Sequence, residues 1–182
     1  MAWGDDMRFN VSQLLKEGVG ARRSYSLDET FEALPETGTT KIQGEMTITC
    51  IDTGVWVSGH MEANASSLCG RCLTLADYAV RFRLDEEYLP TVEIGSGAPV
   101  RVPGEIKEGS FTLDSHHILD LTEAARQYVI INLPMKALCR QNCAGLCSTC
   151  GANLNDNPCD CPSPIDSKWS PLLDLLAVKG KR

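Results

Sequence analysis

Between Lys41 and Leu84 apolar and polar side chains alternate with a period of two. Ile42, Gly44, Met46, Ile48 and Cys50 share one parity and Gln43, Glu45, Thr47 and Thr49 the other, which predicts a strand with one face on a core. Asp52-Thr53-Gly54 is a hairpin turn, and Val55, Val57, Gly59, Met61 and Ala63 carry the return strand, with Trp56 and His60 on its opposite face. Tyr78, Val80, Phe82 and Leu84 alternate with Ala79, Arg81 and Arg83 as a third strand. Upstream, Arg8 to Val11 reads as a short strand, followed by a turn or two of helix through Leu14 and Leu15 that Gly18 and Gly20 stop.

The second half changes period. Residues 89 to 109 are rich in Pro and Gly and predict a long loop, and Phe111 to Leu113 another short strand. Asp120-Leu-Thr-Glu123 has the form of a capping box, with Leu121, Ala125, Tyr128 and Val129 on one helical face, so a helix over 120–133 is expected, ended by Pro134. Ser170-Pro171 predicts the start of a second, leucine-rich helix through Leu172, Leu173, Leu175 and Leu176, ahead of a basic tail of Lys179, Lys181 and Arg182. The expected fold class is α+β: a small antiparallel β-sheet with two helices and a Cys-rich, zinc-stapled C-terminal segment. Residues 1–138 would form the sheet domain and residues 139–182 the Cys-rich knuckle segment with the short helix, packed on the same domain.

A chain of 182 residues, 43% hydrophobic, is long enough for one ordinary domain with a real core. No stretch approaches the ~20 apolar residues of a membrane span, so a soluble protein is expected. Charge narrows the partners. From Asp85 to Glu123 nine acidic residues face only Arg101 and Lys107, a local imbalance equal to the net −7 of the whole chain. Such a segment repels phosphates and attracts basic protein surfaces, which makes Glu86, Glu87, Glu105 and Glu108 candidate partner-binding residues and disfavours unassisted RNA binding. The bland alternative is a solvated loop. Arg22-Arg23 is too small a basic cluster for a nucleic-acid patch.

Cysteine changes the picture most. Six of the nine cysteines lie between Cys139 and Cys161. Cys147-Ser-Thr-Cys150 and Cys159-Asp-Cys161 are close pairs separated by Gly151, Asn153, Asn155, Asp156, Asn157 and Pro158, and two close pairs complete the tetrahedral Cys₄ shell that Zn²⁺ favours. Cys69-Gly-Arg-Cys72 with Cys139 and Cys143 makes a second candidate set, which would pin the middle of the chain to its C-terminal segment. One or two structural zinc ions are therefore expected. The N-terminus carries neither the basic start nor the apolar run of a signal peptide, so a reducing compartment is expected, where clustered thiols point to metal or redox chemistry ahead of disulfides. Cys50, at an apolar position of a strand, reads as a buried packing residue.

The usual catalytic constellations are missing: there is no phosphate-binding Gly-rich loop, no His-Glu-x-x-His and no Gly-x-Ser-x-Gly. His60, His116 and His117 read as surface or core residues. An even set of paired thiols suggests closed, structural sites, whereas a catalytic zinc keeps an open position.

The run Ile130-Ile-Asn-Leu-Pro-Met-Lys-Ala-Leu-Cys139, the stretch Cys143-Ala-Gly-Leu-Cys-Ser-Thr-Cys-Gly-Ala-Asn-Leu-Asn155 and the closing Trp169-Ser-Pro-Leu-Leu-Asp-Leu-Leu176 resemble the YceD family, as does Cys69-Gly-Arg-Cys72-Leu before a strand. That family is linked in bacteria and plastids to accumulation or processing of large-subunit ribosomal RNA and carries no established enzymatic activity; its members differ in how many of the C-terminal cysteines they retain. The resemblance implies a non-enzymatic ribosome-biogenesis factor, cytoplasmic or in the plastid stroma, with a ribosomal protein, a processing factor or large-subunit rRNA as partner. Two alternatives remain open. One is a zinc-knuckle RNA-binding module using Arg71, Arg81, Arg83 and Arg140; the other is a thiol-based redox enzyme or sensor at the Cys69/Cys72 pair.

Overall fold

A computed structural model describes residues 7–100 and 109–161. In chain order its elements are β1 (Arg8–Asn10), α1 (Ser12–Glu17), β2 (Arg22–Leu34), β3 (Gly38–Cys50), β4 (Val55–Leu68), β5 (Leu75–Leu89), β6 (Phe111–Thr112), β7 (Ile118–Asp120) and α2 (Thr122–Asn132). The expected strands at 42–50, 55–63 and 78–84 are present and extended at their ends. The expected leucine-rich helix and the basic tail lie outside the described residues.

Strands β2 to β6 form one sheet in sequence order, and β1 pairs with β7 in a second, two-stranded sheet. All neighbours are antiparallel except β5 and β6, where Tyr88 pairs with Phe111 and Leu89 with Thr112 in parallel. The wholly antiparallel sheet expected above is thus mixed, because the excursion after Leu89 returns the chain in the direction in which it left. Tyr88 and Phe111 stack with ring centroids 5.3 Å apart and fix that return.

Strand β2 is an addition to the sequence-based expectation. Tyr25, Leu27, Phe31 and Ala33 do alternate with Ser24, Ser26, Asp28, Thr30 and Glu32, but Glu29 breaks the apolar parity, and pairing along β3 from Arg22–Thr49 to Leu34–Gly38 holds the strand in place. One face of the sheet carries Leu27, Ile42, Met46, Ile48, Val57, Met61, Ala63, Phe82 and Leu84, all buried. Helix α2 packs on that face through Ala124, Ala125 and Val129 and touches both β2 and β5, so the sheet curls around it. Gly59 permits close strand approach: a Cβ there would lie 2.5 Å from the Glu45 carbonyl oxygen and 2.7 Å from Met46 Cβ.

The expected capping box at the start of α2 does not form. Asp120 Oδ1 accepts the Thr122 N–H at 2.9 Å, as an Asx turn, and no side chain caps the helix. Glu123 instead accepts from Arg126 Nε and Nη2 at 2.8 and 2.7 Å and from Gln127 Nε2 at 2.9 Å. A guanidinium one turn along offers charge-assisted bonds that a distant backbone N–H cannot match. At the other end the Leu133 N–H bonds the Val129 and Ile130 carbonyls, and Pro134 ends the helix as expected.

Candidate metal centres

The β4–β5 hairpin closes above the Leu68–Leu75 pair with the turn that holds Cys69 and Cys72. Within it the Leu73 N–H bonds the Cys69 carbonyl and the Cys69 N–H bonds the Thr74 carbonyl, both at 2.9 Å, and Leu73 sits at φ 58°. The same knuckle recurs downstream: the Gly151 N–H bonds the Cys147 carbonyl at 2.9 Å, the Cys147 N–H bonds the Ala152 carbonyl at 2.8 Å, and Gly151 has φ 73°. In both turns the residue after the second cysteine adopts the left-handed conformation that turns the two thiols to one side.

From α2 the chain passes Ala137 and Leu138 and folds over the first knuckle. The Gly70 N–H donates to the Ala137 carbonyl at 2.8 Å, the Leu146 N–H to the Arg71 carbonyl at 3.1 Å, the Tyr78 hydroxyl to the Leu138 carbonyl at 2.9 Å and Arg71 Nη1 to the Cys143 carbonyl at 2.9 Å. These bonds bring Cys139 and Cys143 onto Cys69 and Cys72. Among the described residues two groups of thiols converge, Cys69, Cys72, Cys139 and Cys143 in one, and Cys147, Cys150, Cys159 and Cys161 in the other, each with its sulfur atoms within 4.8 Å of one another.

The distances have a chemical reading. Four sulfurs arranged tetrahedrally at ~2.3 Å from a common ion stand about 3.8 Å apart. Cys69 and Cys143 Sγ are 3.8 Å apart and Cys72 and Cys139 Sγ 3.5 Å, far beyond a disulfide bond of ~2.0 Å. All nine cysteines are free thiols. The two groups differ in exposure: Cys69, Cys72 and Cys143 are buried and form a small cluster with Leu138 and Leu146 while Cys139 is exposed, whereas in the other group Cys150 is exposed and Cys147, Cys159 and Cys161 are half-buried. Hereafter they are the inner and outer centres.

Electrostatics point the same way. Backbone N–H groups of Cys139, Arg71 and Cys72 pull the Cys69 thiol down to about 6. Those of Cys150 and Thr149 do the same for Cys147, also to about 6. The Thr74 hydroxyl, 3.3 Å from Cys72 Sγ, lowers that thiol too. In each centre another thiol pays the opposite way: the neighbouring Cys72 pushes Cys139 up to about 12, and Cys150 pushes Cys161 up to about 12. One thiolate thus forms readily and discourages the next. A soft dication among the four sulfurs removes that conflict, so the donor set fits such an ion, and the outer ring of N–H donors suits its thiolates.

Asn155, in the loop between Cys150 and Cys159, reaches the inner centre and was not singled out from sequence, where it reads as one of several turn residues. Its Oδ1 accepts from Arg140 Nη2 at 2.7 Å, Arg140 Nε at 3.2 Å and the Ala144 N–H at 2.9 Å; its Nδ2 donates to Cys143 Sγ at 3.2 Å and to Asn153 Oδ1 at 2.8 Å.

The other candidate residues do not converge. Glu86 and Glu87 are successive on β5 and therefore face opposite sides of the sheet. Glu87 accepts a hydrogen bond from the Thr53 hydroxyl, and Glu86 lies close enough to Tyr88 and Tyr128 to raise both phenols, behind the larger effect of burial. Glu105 and Glu108 lie outside the described residues. Arg81 pairs with Glu62 at 3.2 Å and Arg83 with Asp85 at 2.6 Å on the outward face of β5, while Arg71 donates to the Cys143 carbonyl and Arg140 to Asn155 beside the inner thiols. Cys50 is buried, and desolvation raises its thiol. His60 and His116 are exposed, and His117 is buried with Nε2 3.2 Å from the Val92 carbonyl oxygen.

A family profile described as Large ribosomal RNA subunit accumulation protein YceD matches residues 57–176. The chain belongs to the YceD family. The YceD match begins in β4 and contains all eight thiols of the two centres, whereas β1, α1, β2 and β3 precede it. An uncharacterized protein of Mycobacterium leprae is 28% identical over 134 residues, covering 73% of this chain and 58% of the relative. One of Mycobacterium tuberculosis is 26% identical over 136 residues, covering 75% and 62%. This YceD chain therefore spans less than two thirds of the length of those relatives. The Arabidopsis thaliana protein named large ribosomal RNA subunit accumulation protein YCED homolog 1, chloroplastic, is 36% identical over 74 residues, 40% of this chain and 20% of that protein. No solved structure matches. Among the described residues no helix is long and apolar enough to cross a membrane.

Proposed function

We propose that this YceD protein is a non-enzymatic factor in large-subunit ribosomal RNA accumulation, built as a scaffold stapled by two zinc ions and acting through protein contacts. The observation that carries the scaffold reading is the closure of both centres. Each offers four protein thiols to a tetrahedral ion, which leaves no coordination position for water or substrate. Tetrahedral all-sulfur sites suit zinc or iron, and zinc supplies folding energy without redox chemistry. The ribosomal part rests on family membership and on the names of the plant relatives. The cytoplasm, or the plastid stroma in a plant, is the compartment that suits nine reduced thiols. The sheet domain (1–138) and the Cys-rich segment (139–182) act as one unit because the inner centre draws ligands from both sides of that division.

Protein binding is preferred over RNA binding because the four arginines of the RNA reading are all engaged within the chain. Elemental analysis of tag-free protein should find close to two zinc ions per chain, and finding none would overturn the scaffold reading. Deleting the gene should lower large-subunit rRNA relative to small-subunit rRNA, with restoration by the wild-type chain; an unchanged ratio removes the ribosomal reading. Reversing Glu87, and separately Glu86, Glu105 and Glu108, should weaken capture of basic ribosomal proteins, and equal capture by all variants argues against the acidic segment as the contact.

The zinc-knuckle RNA reading keeps one supporting observation: Arg81 and Arg83 share the outward face of β5 with 79% and 64% of their side chains exposed. Filter binding to large-subunit rRNA fragments at moderate salt decides it, since these two cations alone would give an affinity that salt abolishes.

A further inference from the structure

The two centres are unequal in burial, and one side chain from the loop of the outer centre reaches a thiol of the inner one. Asn155 lies between Cys150 and Cys159, in the loop whose two ends the outer centre would tie together. Its amide, however, serves the inner centre. The orientation of that amide is set by its neighbours: Arg140 Nε, Arg140 Nη2 and the Ala144 N–H are all donors and require the oxygen, while Cys143 Sγ and Asn153 Oδ1 are acceptors and require the NH₂. The N–H···S contact at 3.2 Å places a donor on a ligand sulfur, where it offsets thiolate charge. Oδ1 at the same time holds the Arg140 side chain and the Ala144 backbone on either side of Cys143.

From this geometry we infer that the two centres are coupled, with Asn155 as the positioning residue: occupancy of the outer centre holds the Asn155 amide against Cys143 and so secures the ion of the inner one. The inference rests on the metal reading above. Each centre has one exposed thiol, Cys139 and Cys150, but the other three are buried in the inner centre and only half-buried in the outer, so the outer centre loses its ion first. Its departure opens the loop between Cys150 and Cys159, leaving the Leu154 N–H to Gly145 carbonyl bond at 2.9 Å and the Arg140 contact to hold Asn155. The inner ion, shielded by Leu138 and Leu146, follows more slowly. Because coupling is reciprocal, an occupied inner centre also steadies the outer loop.

The test uses the intact zinc-loaded protein with an excess of a chromogenic chelator, and alkylation of the freed thiols is mapped by mass spectrometry. Wild type should release two ions in two phases, with Cys147, Cys150, Cys159 and Cys161 labelled before Cys69, Cys72, Cys139 and Cys143. Asn155→Asp keeps the acceptor for Arg140 and Ala144 but loses the N–H to Cys143 and adds a negative charge beside thiolates. It should speed the slow phase at least about 10-fold, the scale on which lost support of a metal ligand is felt. Cys150→Ser, which disables the outer centre without altering the Asn155 side chain itself, frees the loop that holds the amide and should speed inner release as well. The near-ultraviolet and far-ultraviolet circular dichroism of both variants, compared with wild type, establishes that the sheet is intact. Two ions per wild-type chain with unchanged slow phases in both variants overturn the coupling alone; a wild-type chain that purifies with intact thiols and no metal overturns the zinc reading and the coupling with it.

Discussion

On the proposed zinc reading, removing the metal should unravel Ala137 to Cys161 and leave the sheet standing. That stretch is 25 residues long, and fixing its backbone costs about 1–2 kcal/mol per residue, a total of tens of kcal/mol. Four hydrogen bonds join it to the β4–β5 hairpin, each contributing a net of about 0.5–1.5 kcal/mol. Its apolar packing is small, Leu138 and Leu146 against Cys69, Cys72 and Cys143 together with a buried Ala137. A structural zinc ion contributes about 10–16 kcal/mol, far more than these contacts with the hairpin. The sheet, in contrast, has its own continuous core from Met7 to Val129. Hydrogen exchange read by mass spectrometry, with and without a strong chelator under reducing conditions, should show peptides over 137–161 losing protection by orders of magnitude while β3 and β4 keep theirs. Unchanged protection over 137–161 in metal-free protein would falsify the claim that metal holds the segment.

Other perturbations probe particular contacts. Tyr88→Phe removes a hydroxyl that donates to the Asp120 carbonyl at 3.2 Å in a site 1% exposed, and should cost about 1–3 kcal/mol in urea unfolding; a loss below measurement would mean the carbonyl finds another donor. Gly59→Ala forces a Cβ against the Glu45 carbonyl and should lower stability by about 1–3 kcal/mol, with an unchanged melting temperature counting against the tight strand approach. Arg126 and Gln127 hold the Glu123 carboxyl down to about 2; because its folded value is depressed, the pair stabilises α2 above the ordinary Glu range near ~4.3 and loses that contribution as pH falls toward 2. Both side chains are largely exposed, so Arg126→Ala should cost little stability at neutral pH, while a carboxyl NMR titration should show Glu123 moving back toward the ordinary range. Leu73→Gly relieves a left-handed backbone, at φ 58°, that costs a non-glycine residue about 1–2 kcal/mol, and Leu73 is 61% exposed; the metal-bound protein should be as stable or more so, and a clear loss would assign Leu73 a packing role.

How far the sequence reveals this molecule depends on whether the determining forces are local. Strands β3 and β4 show plainly because every inward position from Ile42 to Cys50 and from Val55 to Ala63 is apolar or glycine, as a one-sided sheet demands. Strand β2 has the same inward face, but Glu29 interrupts the pattern and only the partner strand makes it extended. The pairing of β1 with β7 joins three-residue segments over a hundred residues apart and leaves no local trace. The end of α2 at Pro134 was readable because proline acts on its own backbone; its start was not, since Glu123 chose between a backbone N–H and Arg126 by geometry.

The thiols show the same division between local and distant causes. The spacing of Cys69 and Cys72, and of Cys147 and Cys150, describes two knuckles so similar that Leu73 occupies the backbone conformation for which Gly151 is suited. Pairing Cys69 and Cys72 with Cys139 and Cys143 across sixty-seven or more residues followed from counting the pairs left over, and the hydrogen bonds from Gly70, Arg71 and Tyr78 supply its physical cause. What no count of cysteines could reveal was Asn155, because a residue that supports a ligand is identified by where its amide points. Its amide carries the loop between Cys150 and Cys159 onto Cys143, and the inferred coupling of the two centres rests on that contact.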